Sequence, residues 1–454
     1  MRARILPGGV VEGETGVPGD KSIAHRWLIL AATAQGGSEL GNLPGSLDVR
    51  STARCLARLV PRAQPQLEEW ASKPVEGSDG NGFTWDGLAS RAADPPLLVE
   101  GEGRGSLVPP MSALDCGNSG TTMRLLAGLL AAAPFKATLT GDSSLLARPM
   151  ERVAIPLRAM GATVRTNAGL PPVFIEGGDL RGIEHVLEVA SAQVKGAVLL
   201  AGLAASGETT VVERAAARDH TERALAALGA PVRVEAGRIS VSAFQHRGFG
   251  GRLPGDVSSA AFLVAAAALT GGELSIHNVG LNPSRTYFLD VMERMGVRTE
   301  RTVLRTVLGE PLGDIRVLPG TSLVGTRVTE LDLPLVIDEI PVLAALAAHA
   351  AGDSRFCGAA ELRTKESDRL SGLASGIQAL GGRADVEGDD LVVTGGGLGG
   401  GEADALGDHR IGMALAIAAL AASGASEVTG IEWAAVSFPG FVPTLASLGA
   451  RIGD

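Results

Sequence analysis

One sequence pattern recurs along this 454-residue chain and constrains its fold more than any other feature. It consists of an apolar residue, two variable residues, Leu or Met, and then Gly, followed by a run typical of a strand. Gly ends a helix in a left-handed conformation at little steric cost, so the pattern predicts a helix leading directly into a strand. Copies with Gly are residues 157–161, 225–229, 292–296, 377–381 and 445–449, and a degraded copy with Val60 is residues 56–60.

The spacing of these copies predicts repeated structural units. Consecutive glycines are 68, 67, 85 and 68 residues apart, which helix-end chemistry alone does not explain. We predict six related α/β units in two lobes of three. The Gly-rich segment 248–255 marks a crossover, which gives residues 19–253 to the first lobe and residues 1–18 plus 254–454 to the second. From the residues alone, the strand before Pro18 fits either lobe. Residues 61–110 hold clustered Pro, Gly, Glu and Asp, so we expect an insertion that is mainly surface loop.

The composition argues against several classes of function. The net charge of −10 disfavours general nucleic-acid binding, which needs a basic face. The longest apolar stretch, residues 260–269, is well short of the roughly 20 residues of a membrane span. Cys55, Cys116 and Cys357 lack metal-ligand spacing and cannot all pair, so we expect a reducing compartment, the cytoplasm. The glycines of residues 395–400 fit a dinucleotide-binding pattern, but no helix follows them and we interpret them as a turn.

Each predicted unit also contains a helix that begins with small and polar residues. These beginnings lie near residues 18–26, 117–124, 191–195, 254–259, 338–341 and 407–410. Free backbone N–H groups and the helix dipole make such positions suitable for anions. Lys21, Arg26 and Arg410 oppose the dipole unless an anion lies beside them, so these cations predict anion binding. The alternative is ordinary N-capping, with the caps Asp20, Asn118, Ser191 and Asp408.

Two further segments concentrate charge. Residues 361–370 place Lys365, Glu366 and Arg369 before an amphipathic run that ends near Leu380. By themselves these charges fit a solvated, salt-bridged helix start equally well. Arg148 precedes a proline, which favours an extended backbone.

Together, these segments resemble the 5-enolpyruvylshikimate-3-phosphate synthase family. The matching segments are Pro-Gly-Asp-Lys-Ser with His-Arg at 18–26, residues 117–124, Arg-Pro at 148–149, residues 191–195, Lys-Glu-Ser-Asp-Arg at 365–369, Asp-His-Arg at 408–410 and Ser-Phe-Pro at 437–439. The resemblance implies a two-lobed inside-out α/β barrel of six repeated units, three per lobe, which agrees with the repeat. It also implies a transferase of the shikimate pathway that moves the enolpyruvyl group of phosphoenolpyruvate to shikimate 3-phosphate. Such an enzyme requires neither a metal nor an organic cofactor.

The resemblance further implies a role for each matching residue. The residues expected to bind shikimate 3-phosphate, on the first lobe, are Lys21, Ser22, Arg26, Ser191, Ala192, Gln193 and Arg218. Those expected at phosphoenolpyruvate are Lys21, Gly120, Arg148, Gln193, Arg369 and Arg410, with Asn118 and His409 nearby. Asp338 would be the base for the attacking 5-hydroxyl and Lys365 would assist it. Glu366 would handle the proton at the methylene carbon, and Lys21 completes the catalytic set. Gly120 matches the family form in which the inhibitor glyphosate has room.

Two alternatives remain beside this interpretation. A sister enzyme acting on UDP-N-acetylglucosamine has the same fold, but it typically carries Lys-Asn near its start and a reactive cysteine in a mobile loop. Here Ser22 follows Lys21, and Cys116 directly precedes a helix start. A non-catalytic anion-binding repeat protein would gain nothing from added carboxylates such as Asp338 and Glu366. We therefore expect small-molecule substrates, neither nucleic acid nor membrane as partner, and a monomer.

Overall fold

Six β-sheets form the outside of two α/β lobes. The computed structural model describes residues 1–73 and 95–453. Within these ranges the strands are β1 (Arg2–Ile5), β2 (Gly13–Gly16), β3 (Gln35–Gly41), β4 (Leu97–Glu102), β5 (Leu114–Asp115), β6 (Lys136–Thr140), β7 (Thr163–Asn167), β8 (Leu170–Glu176), β9 (Glu184–Leu187), β10 (Thr209–Glu213), β11 (Val232–Glu235), β12 (Arg238–Val241), β13 (Gly250–Arg252), β14 (Leu274–Gly280), β15 (Arg298–Val307), β16 (Glu310–Leu318), β17 (Arg327–Val328), β18 (Asp353–Phe356), β19 (Arg383–Glu387), β20 (Asp390–Thr394), β21 (Gly401–Asp404), β22 (Ser426–Thr429) and β23 (Ile452–Gly453).

Helices alternate with these strands along the chain. The α-helices are α1 (Lys21–Ala32), α2 (Leu47–Ala57), α3 (Gln64–Ser72), α4 (Gly120–Leu130), α5 (Ser143–Leu146), α6 (Glu151–Met160), α7 (Ala192–Gly202), α8 (His220–Ala227), α9 (Val257–Thr270), α10 (Pro283–Arg294), α11 (Leu333–Val336), α12 (Ile340–Ala347), α13 (Arg369–Ala379), α14 (His409–Ala419) and α15 (Phe441–Ser447). Short 3-10 helices occupy Arg104–Ser106, Ala359–Thr364 and Ile431–Val436.

The predicted helix ends are confirmed at the five glycine copies. Gly161, Gly229, Gly296, Gly381 and Gly449 all have φ between +79° and +117°, the left-handed region that favours glycine. Strands β7, β11, β15, β19 and β23 begin two or three residues after them. The degraded copy differs, because α2 is followed by α3 instead of a strand. In the described ranges the sheet of that unit has three strands, whereas the others have four.

The described residues within 61–110 contain more regular structure than their composition predicts. The segment contains α3 and β4, and β4 pairs antiparallel with β3, so the expectation of a mainly surface loop is wrong for the described part. Residues 74–94 of the predicted insertion lie outside the described residues. The alternation of buried Leu97 and Val99 with exposed Leu98 is the signal for a strand at a sheet edge, and the surrounding Pro and Gly obscured it.

Two hydrophobic cores define the lobes. The first lobe contains the sheets β13-β3-β4, β5-β6-β8-β7 and β11-β12-β10-β9 around a core drawn from residues 23–253. The second contains β21-β22-β1-β23, β15-β16-β14-β2 and β17-β18-β20-β19 around a core drawn from residues 3–17 and 257–452. Strand β1 pairs with β22 and β23, and β2 pairs with β14, so both N-terminal strands lie in sheets of the second lobe.

Six helices lie inside the sheets, three per lobe. They are α1, α4 and α7 in the first lobe and α9, α12 and α14 in the second, and nearly all of their residues are buried. A helix that is apolar on all sides requires such burial, and the helices pack closely. A Cβ added to Gly128 in α4 would lie 2.2 Å from the carbonyl oxygen of Ala197 in α7. This inside-out arrangement leaves the beginnings of the six helices to form the face between the lobes.

The chain crosses between the lobes twice, and the two crossovers lie side by side. Gly19 and Gly255 form an antiparallel bridge. The amide of Asp20 donates to Pro254 O at 2.8 Å, and the amide of Asp256 donates to Pro18 O at the same distance. Helices α1 and α9 therefore begin next to each other at the junction of the lobes.

Candidate active site

A cavity of about 340 Å³ lies between the lobes, where the inner helices begin. Fourteen of the sequence-predicted residues line it: Lys21, Ser22, Gly120, Arg148, Ser191, Ala192, Gln193, Arg218, Asp338, Lys365, Glu366, Arg369, His409 and Arg410. They come from both lobes and from positions up to about 390 residues apart in the chain. The structure thus brings together side chains that the sequence places on separate helix starts.

Helix capping accounts for the local geometry at these starts. The Asp20 carboxylate accepts from Ile23 N at 2.9 Å, Ser191 Oγ from Val194 N at 3.3 Å, and the Asp408 carboxylate from Arg410 N at 2.9 Å. These three predicted caps are confirmed. Each cap satisfies some of the free N–H groups at its helix start and fixes the direction of the next residues.

The predicted cap Asn118 is wrong. Ser119 caps α4, with its Oγ accepting from Thr122 N at 3.2 Å. The Asn118 side chain instead donates to the Asp142 carboxylate at 2.7 Å and accepts from Arg148 Nη2 at 2.6 Å. Asn118 is outside the cavity lining and acts behind it, because its amide orients Arg148.

Arg26 likewise lies behind the cavity. Its guanidinium donates to Thr221 Oγ1 at 2.8 Å, to Ser22 O at 2.7 Å and to Ala192 O at 3.2 Å. Burial is the main cause that lowers the pKa of Arg26 to about 10, so it remains charged at neutral pH. The side chain ties together α1, α7 and α8, and the first residues of α1 and α7 form one wall of the cavity.

Two ion pairs join the lobes across the cavity. Arg218 Nη2 donates to Asp338 Oδ2 at 2.5 Å, and Arg148 Nη1 lies 3.8 Å from Glu366 Oε1. In each pair the arginine belongs to the first lobe and the carboxylate to the second. These two pairs add to the contacts between the lobes, and their charges face the cavity.

Asp338 is surrounded by positive charge. Burial alone would raise its pKa, but Arg218, Arg410 and Lys365 outweigh burial and hold the pKa well below its usual value. Arg410 Nη1 also donates to the backbone oxygen of Asp338 at 2.5 Å, and Arg369 Nη1 lies 3.8 Å from its carboxylate. The carboxylate is therefore ionised and positioned as an acceptor.

Glu366 has a similar environment on the same lobe. Its Oε2 accepts from Arg369 Nη2 at 2.5 Å. Burial acts to raise its pKa, and the charges of Arg369, Arg148 and Lys21 more than compensate, so the pKa lies well below its usual value. Asp408 completes the group, since Arg369 donates to its two oxygens at 2.7 and 3.2 Å. One buried guanidinium thus holds two carboxylates in place.

Lys21, Lys365 and His409 provide further polar groups. Lys21 Nζ donates to Asp48 at 3.0 Å, and Lys365 Nζ to Glu361 at 2.8 Å. Burial is the main cause that lowers the pKa of His409 to about 3, with the Lys21 charge adding to it. His409 is therefore neutral at physiological pH, and its Nε2 is buried without a hydrogen-bond partner in the described part of the chain.

Sequence reasoning assigned no role to several lining residues. They are Asp48, Thr121, Arg124, Arg152, Asp256, Arg285 and Glu361. Arg124 was recoverable, because it lies four residues after Gly120 and hence on the same helix face. Arg124 Nη1 donates to Gln193 at 2.5 Å, and Gln193 Nε2 donates to Thr121 at 2.9 Å. Arg285 lies on α10 and carries no local signal, since only the tertiary fold brings it to the cavity.

Cys116 has the environment of a structural cysteine. It is completely buried and does not line the cavity. A hydrogen bond with Cys55 and burial raise the pKa of its thiol well above the usual value. A reactive cysteine requires an accessible thiolate, so this residue does not fit the alternative enzyme class with a nucleophilic loop cysteine.

The fold and the cavity together define a class of protein. It is an α/β protein with a cavity between two lobes that is lined by cations and by ionised carboxylates. Among the residues that the structure describes, nine lysine and arginine side chains and five carboxylates line the cavity: Lys21, Arg124, Arg148, Arg152, Arg218, Arg285, Lys365, Arg369, Arg410, and Asp48, Asp256, Asp338, Glu361, Glu366. The excess of cations indicates substrates with several negative charges.

Comparison with known proteins identifies the family. The sequence model of EPSP synthase (3-phosphoshikimate 1-carboxyvinyltransferase) matches residues 5–82 and 90–445. The chain belongs to this family, and the resemblance found in the sequence is confirmed. It is a transferase that moves the enolpyruvyl group of phosphoenolpyruvate to shikimate 3-phosphate in the shikimate pathway.

Individual relatives cover nearly the whole chain. The 3-phosphoshikimate 1-carboxyvinyltransferase of Acidithiobacillus ferrooxidans is 44% identical over 453 residues, covering 98% of this chain and 97% of the relative. That of Halorhodospira halophila is 43% identical over 454 residues, covering 99% and 96%. The solved structure of EPSP synthase from Acinetobacter baumannii superposes with a TM-score of 0.83 at 38% identity, covering 100% of this chain and 99% of that one. These matches confirm the two-lobed α/β fold with six repeated sheet units. Among residues 1–73 and 95–453, no helix is long and apolar enough to cross a membrane.

Proposed function

We propose that the cavity between the lobes is the active site and that the residues predicted from the sequence carry the reaction. The 5-hydroxyl of shikimate 3-phosphate adds to C2 of phosphoenolpyruvate while C3 gains a proton. The tetrahedral intermediate then loses phosphate and a proton from C3, which leaves the enolpyruvyl ether. The observation that carries this proposal is that two ionised carboxylates, Asp338 and Glu366, lie among cations of both lobes.

We assign shikimate 3-phosphate to the wall of the first lobe. Lys21, Ser22, Ser191, Ala192, Gln193 and Arg218 would contact it directly. Arg26 would act from behind the wall, because its guanidinium is bonded to the carbonyl groups of Ser22 and Ala192. A phosphate beside the starts of α1 and α7 would also receive their free N–H groups.

Phosphoenolpyruvate is assigned to the side formed by Gly120, Arg148, Arg369 and Arg410, with Lys21 and Gln193 reaching both substrates. Gly120 leaves space at this side, since an added Cβ would lie 2.8 Å from Arg124 Nη1 and 3.7 Å from Arg148 Nη1. Arginine suits the carboxylate and the phosphate, because its fork of donors can form two parallel hydrogen bonds. Asn118 would orient Arg148, and His409 would offer its unpartnered Nε2 nearby.

Asp338 is proposed as the base for the 5-hydroxyl. In the structure it is paired with Arg218, which we also assign to shikimate 3-phosphate. An anionic substrate that takes over Arg218 removes part of the positive charge beside Asp338. The pKa of Asp338 then rises from its depressed value, and the carboxylate becomes a stronger base. Substrate binding would thus prepare the base for its task.

Proton transfer at C3 is proposed for Glu366, with Lys21 and Lys365 as the other participants. Glu366 is ionised in the structure, so it is ready to remove the C3 proton during elimination. The addition step needs a donor, which a lysine ammonium or a protonated Glu366 supplies. Addition and elimination require opposite proton transfers, and a set of carboxylates and lysines can carry both.

We further propose that the chain acts as a monomer in the cytoplasm. One chain contributes both walls of the cavity, so the site is complete without a second copy. The three cysteines are free and buried, which suits a reducing compartment. Sedimentation at micromolar concentration would test the monomer, because a mass of twice 46.2 kDa would contradict it.

The test of the proposed site is phosphate release from phosphoenolpyruvate, with and without shikimate 3-phosphate. We expect release only with both substrates, and a loss of at least about 100-fold in kcat for Asp338→Asn, the lower end of what a positioned base contributes. The matched control is Asp290→Asn, a carboxylate on the exposed face of α10 paired with Arg301. It should retain wild-type rates. Equal rates for Asp338→Asn and wild type would show that the base lies elsewhere.

A further inference from the structure

A buried lysine lies directly behind the wall assigned to shikimate 3-phosphate. The side chain of Lys195, on α7, is only 1% exposed and does not line the cavity. Its Nζ lies 3.0 Å from Glu213 Oε1, 2.7 Å from Glu222 Oε1 and 3.2 Å from the carbonyl oxygen of Ala217. These three partners belong to β10, to α8 and to the loop between them, so all three ammonium donors are used.

The loop between β10 and α8 carries Arg218. Ala217, the preceding residue, is held at both of its backbone groups. Its carbonyl accepts from Lys195, and its amide donates to Glu213 Oε1 at 3.1 Å. Glu213 is itself paired with Lys195, so one ion pair holds both backbone polar groups of Ala217. Arg218 follows at once and reaches Asp338 on the other lobe.

The energetics of this arrangement indicate a role beyond stability. Burying an ammonium and carboxylates costs several kcal/mol per ion, and well-packed apolar residues are often at least as stabilising. The lysine is also only two residues from Gln193 and four from Ser191, both in the cavity wall. It therefore connects the start of α7 to the loop of Arg218, the two parts of the wall that must keep a fixed separation around one ligand.

We propose that Lys195 is a positioning residue for the reaction: through Glu213 and Ala217 it holds Arg218 in the orientation that binds shikimate 3-phosphate. This inference rests on the proposed function, because it assumes that Arg218 is a ligand of that substrate. Lys195 does not touch the substrate. Its substitution acts on the KM for shikimate 3-phosphate through Arg218 and leaves the binding of phosphoenolpyruvate largely intact.

The experiment is a double-mutant cycle with Lys195→Met and Arg218→Ala. Initial rates of phosphate release are measured against shikimate 3-phosphate at saturating phosphoenolpyruvate, and then with the roles reversed. We expect Lys195→Met to raise the KM for shikimate 3-phosphate about tenfold, the lower range for losing a hydrogen bond to a charged group. The KM for phosphoenolpyruvate should change less than about twofold, within the usual error of additivity. Lys195→Arg should restore much of the loss, because a guanidinium can still bond to the carboxylates.

The double variant separates positioning from plain stability. If Lys195 acts through Arg218, the double variant has the same KM as Arg218→Ala within about twofold. If the fold-changes of the two single variants in the KM for shikimate 3-phosphate multiply in the double variant, the inference is overturned. An unchanged KM for shikimate 3-phosphate in Lys195→Met would also overturn it. The control Lys136→Met, at an exposed lysine paired with Glu176, should behave as wild type.

A folding defect and a wrong assignment of function are both distinguishable. If Lys195→Met does not fold, it is replaced by the double variant Lys195→Met, Glu222→Gln. This double variant removes one positive and one negative charge, so the net charge of the buried cluster of Lys195, Glu213 and Glu222 is unchanged. The same KM criteria then apply to it. A wild-type enzyme that releases no phosphate with shikimate 3-phosphate, or an Arg218→Ala variant with unchanged KM, would instead refute the proposed function on which the inference rests.

Discussion

Replacing Arg369 with Met should destabilise the second lobe strongly at neutral pH. The guanidinium is 1% exposed and bonds to both oxygens of Asp408, whose side chain is fully buried, and to Glu366. Methionine fills a similar volume without charge, so the two carboxylates lose their shared cation. Removal of one partner from a buried pair typically costs about 3–5 kcal/mol, and we expect a decrease of this size in the free energy of unfolding.

The pH dependence of this effect follows from the pKa values of the two carboxylates. Burial acts to raise the pKa of both Asp408 and Glu366, but the charge of Arg369 lowers each below its usual value. A group with a lowered pKa in the folded state adds stability above its unfolded pKa and loses it as pH falls through the folded value. The difference in the free energy of unfolding between wild type and Arg369→Met should therefore be largest at pH 7. It should shrink below about pH 4, where the carboxylates of the unfolded chain are protonated.

Urea denaturation followed by circular dichroism measures the difference in the free energy of unfolding between wild type and variant at pH 7 and at about pH 3. The control is Arg301→Met, because Arg301 is partly exposed and pairs with Asp290 and Glu293 at the surface. Exposed pairs contribute about 0–1 kcal/mol, so that variant should change little at either pH. An Arg369→Met enzyme that loses the same free energy at both pH values, or less than about 1 kcal/mol at pH 7, would refute the electrostatic argument.

Three further outcomes can be measured on the same protein. In Gly120→Ala the new Cβ lies 2.8 Å from Arg124 Nη1, a movable side-chain end, so the fold should persist. We expect the KM for phosphoenolpyruvate and the Ki of glyphosate to rise by about 10-fold or more, because one methyl group changes binding in a pocket by about 1–3 kcal/mol. An unchanged KM and Ki would count against the assignment of phosphoenolpyruvate to the side of Gly120. Binding of both substrates should raise the lowered pKa values of Asp338 and Glu366, so calorimetry at mildly acidic pH in buffers of different ionisation enthalpy should detect proton uptake, and release or no exchange would contradict this. His409, with its pKa lowered to about 3, favours folding above its unfolded pKa of about 6.5, and the stability it contributes declines as pH falls toward 3; His409→Asn should flatten that decline in denaturation experiments, and an unchanged slope would argue against a buried neutral imidazole.

Local chemistry explains which parts of the fold were predictable. The five helix-end glycines could be recognised because Gly adopts the left-handed conformation at a helix end with little steric cost. Their spacing then indicated the repeated units. The degraded copy at Val60 shows the converse, because without Gly the chain continues into α3 and not into a strand. Where a backbone conformation strongly favours a single residue type, the local structure can be predicted from the sequence.

The cap of α4 shows where such reasoning fails. Asn118 and Ser119 are both good N-caps, so the local sequence does not choose between them. The choice depends on Asp142 and Arg148, which engage the Asn118 amide from other parts of the chain. Only tertiary contacts place the helix start one residue later.

The candidate site divides in the same way. Lys21 and Arg410 could be predicted at the cavity because cations at helix starts are unusual, and Arg369 because its segment resembles the family. Arg285 and Asp48 were not, because α10 and α2 carry no such pattern at these positions. Tertiary packing of the helices brings these two side chains to the cavity, and no pattern of spacing in the sequence indicates it.

The ion pairs across the cavity connect lobe closure with the chemistry. Arg218 and Arg148 of the first lobe face Asp338 and Glu366 of the second, so each carboxylate proposed for proton transfer is neutralised by an arginine proposed for substrate binding. An arriving substrate anion competes with the carboxylate for its arginine. The same event that fills the binding site therefore weakens the charge that keeps the carboxylate a poor base. The arginine thus has two functions: replacing it should raise KM and also raise the pKa of the carboxylate in the free enzyme, which the pH profile of kcat/KM reports, whereas replacing a residue that only binds substrate would raise KM alone.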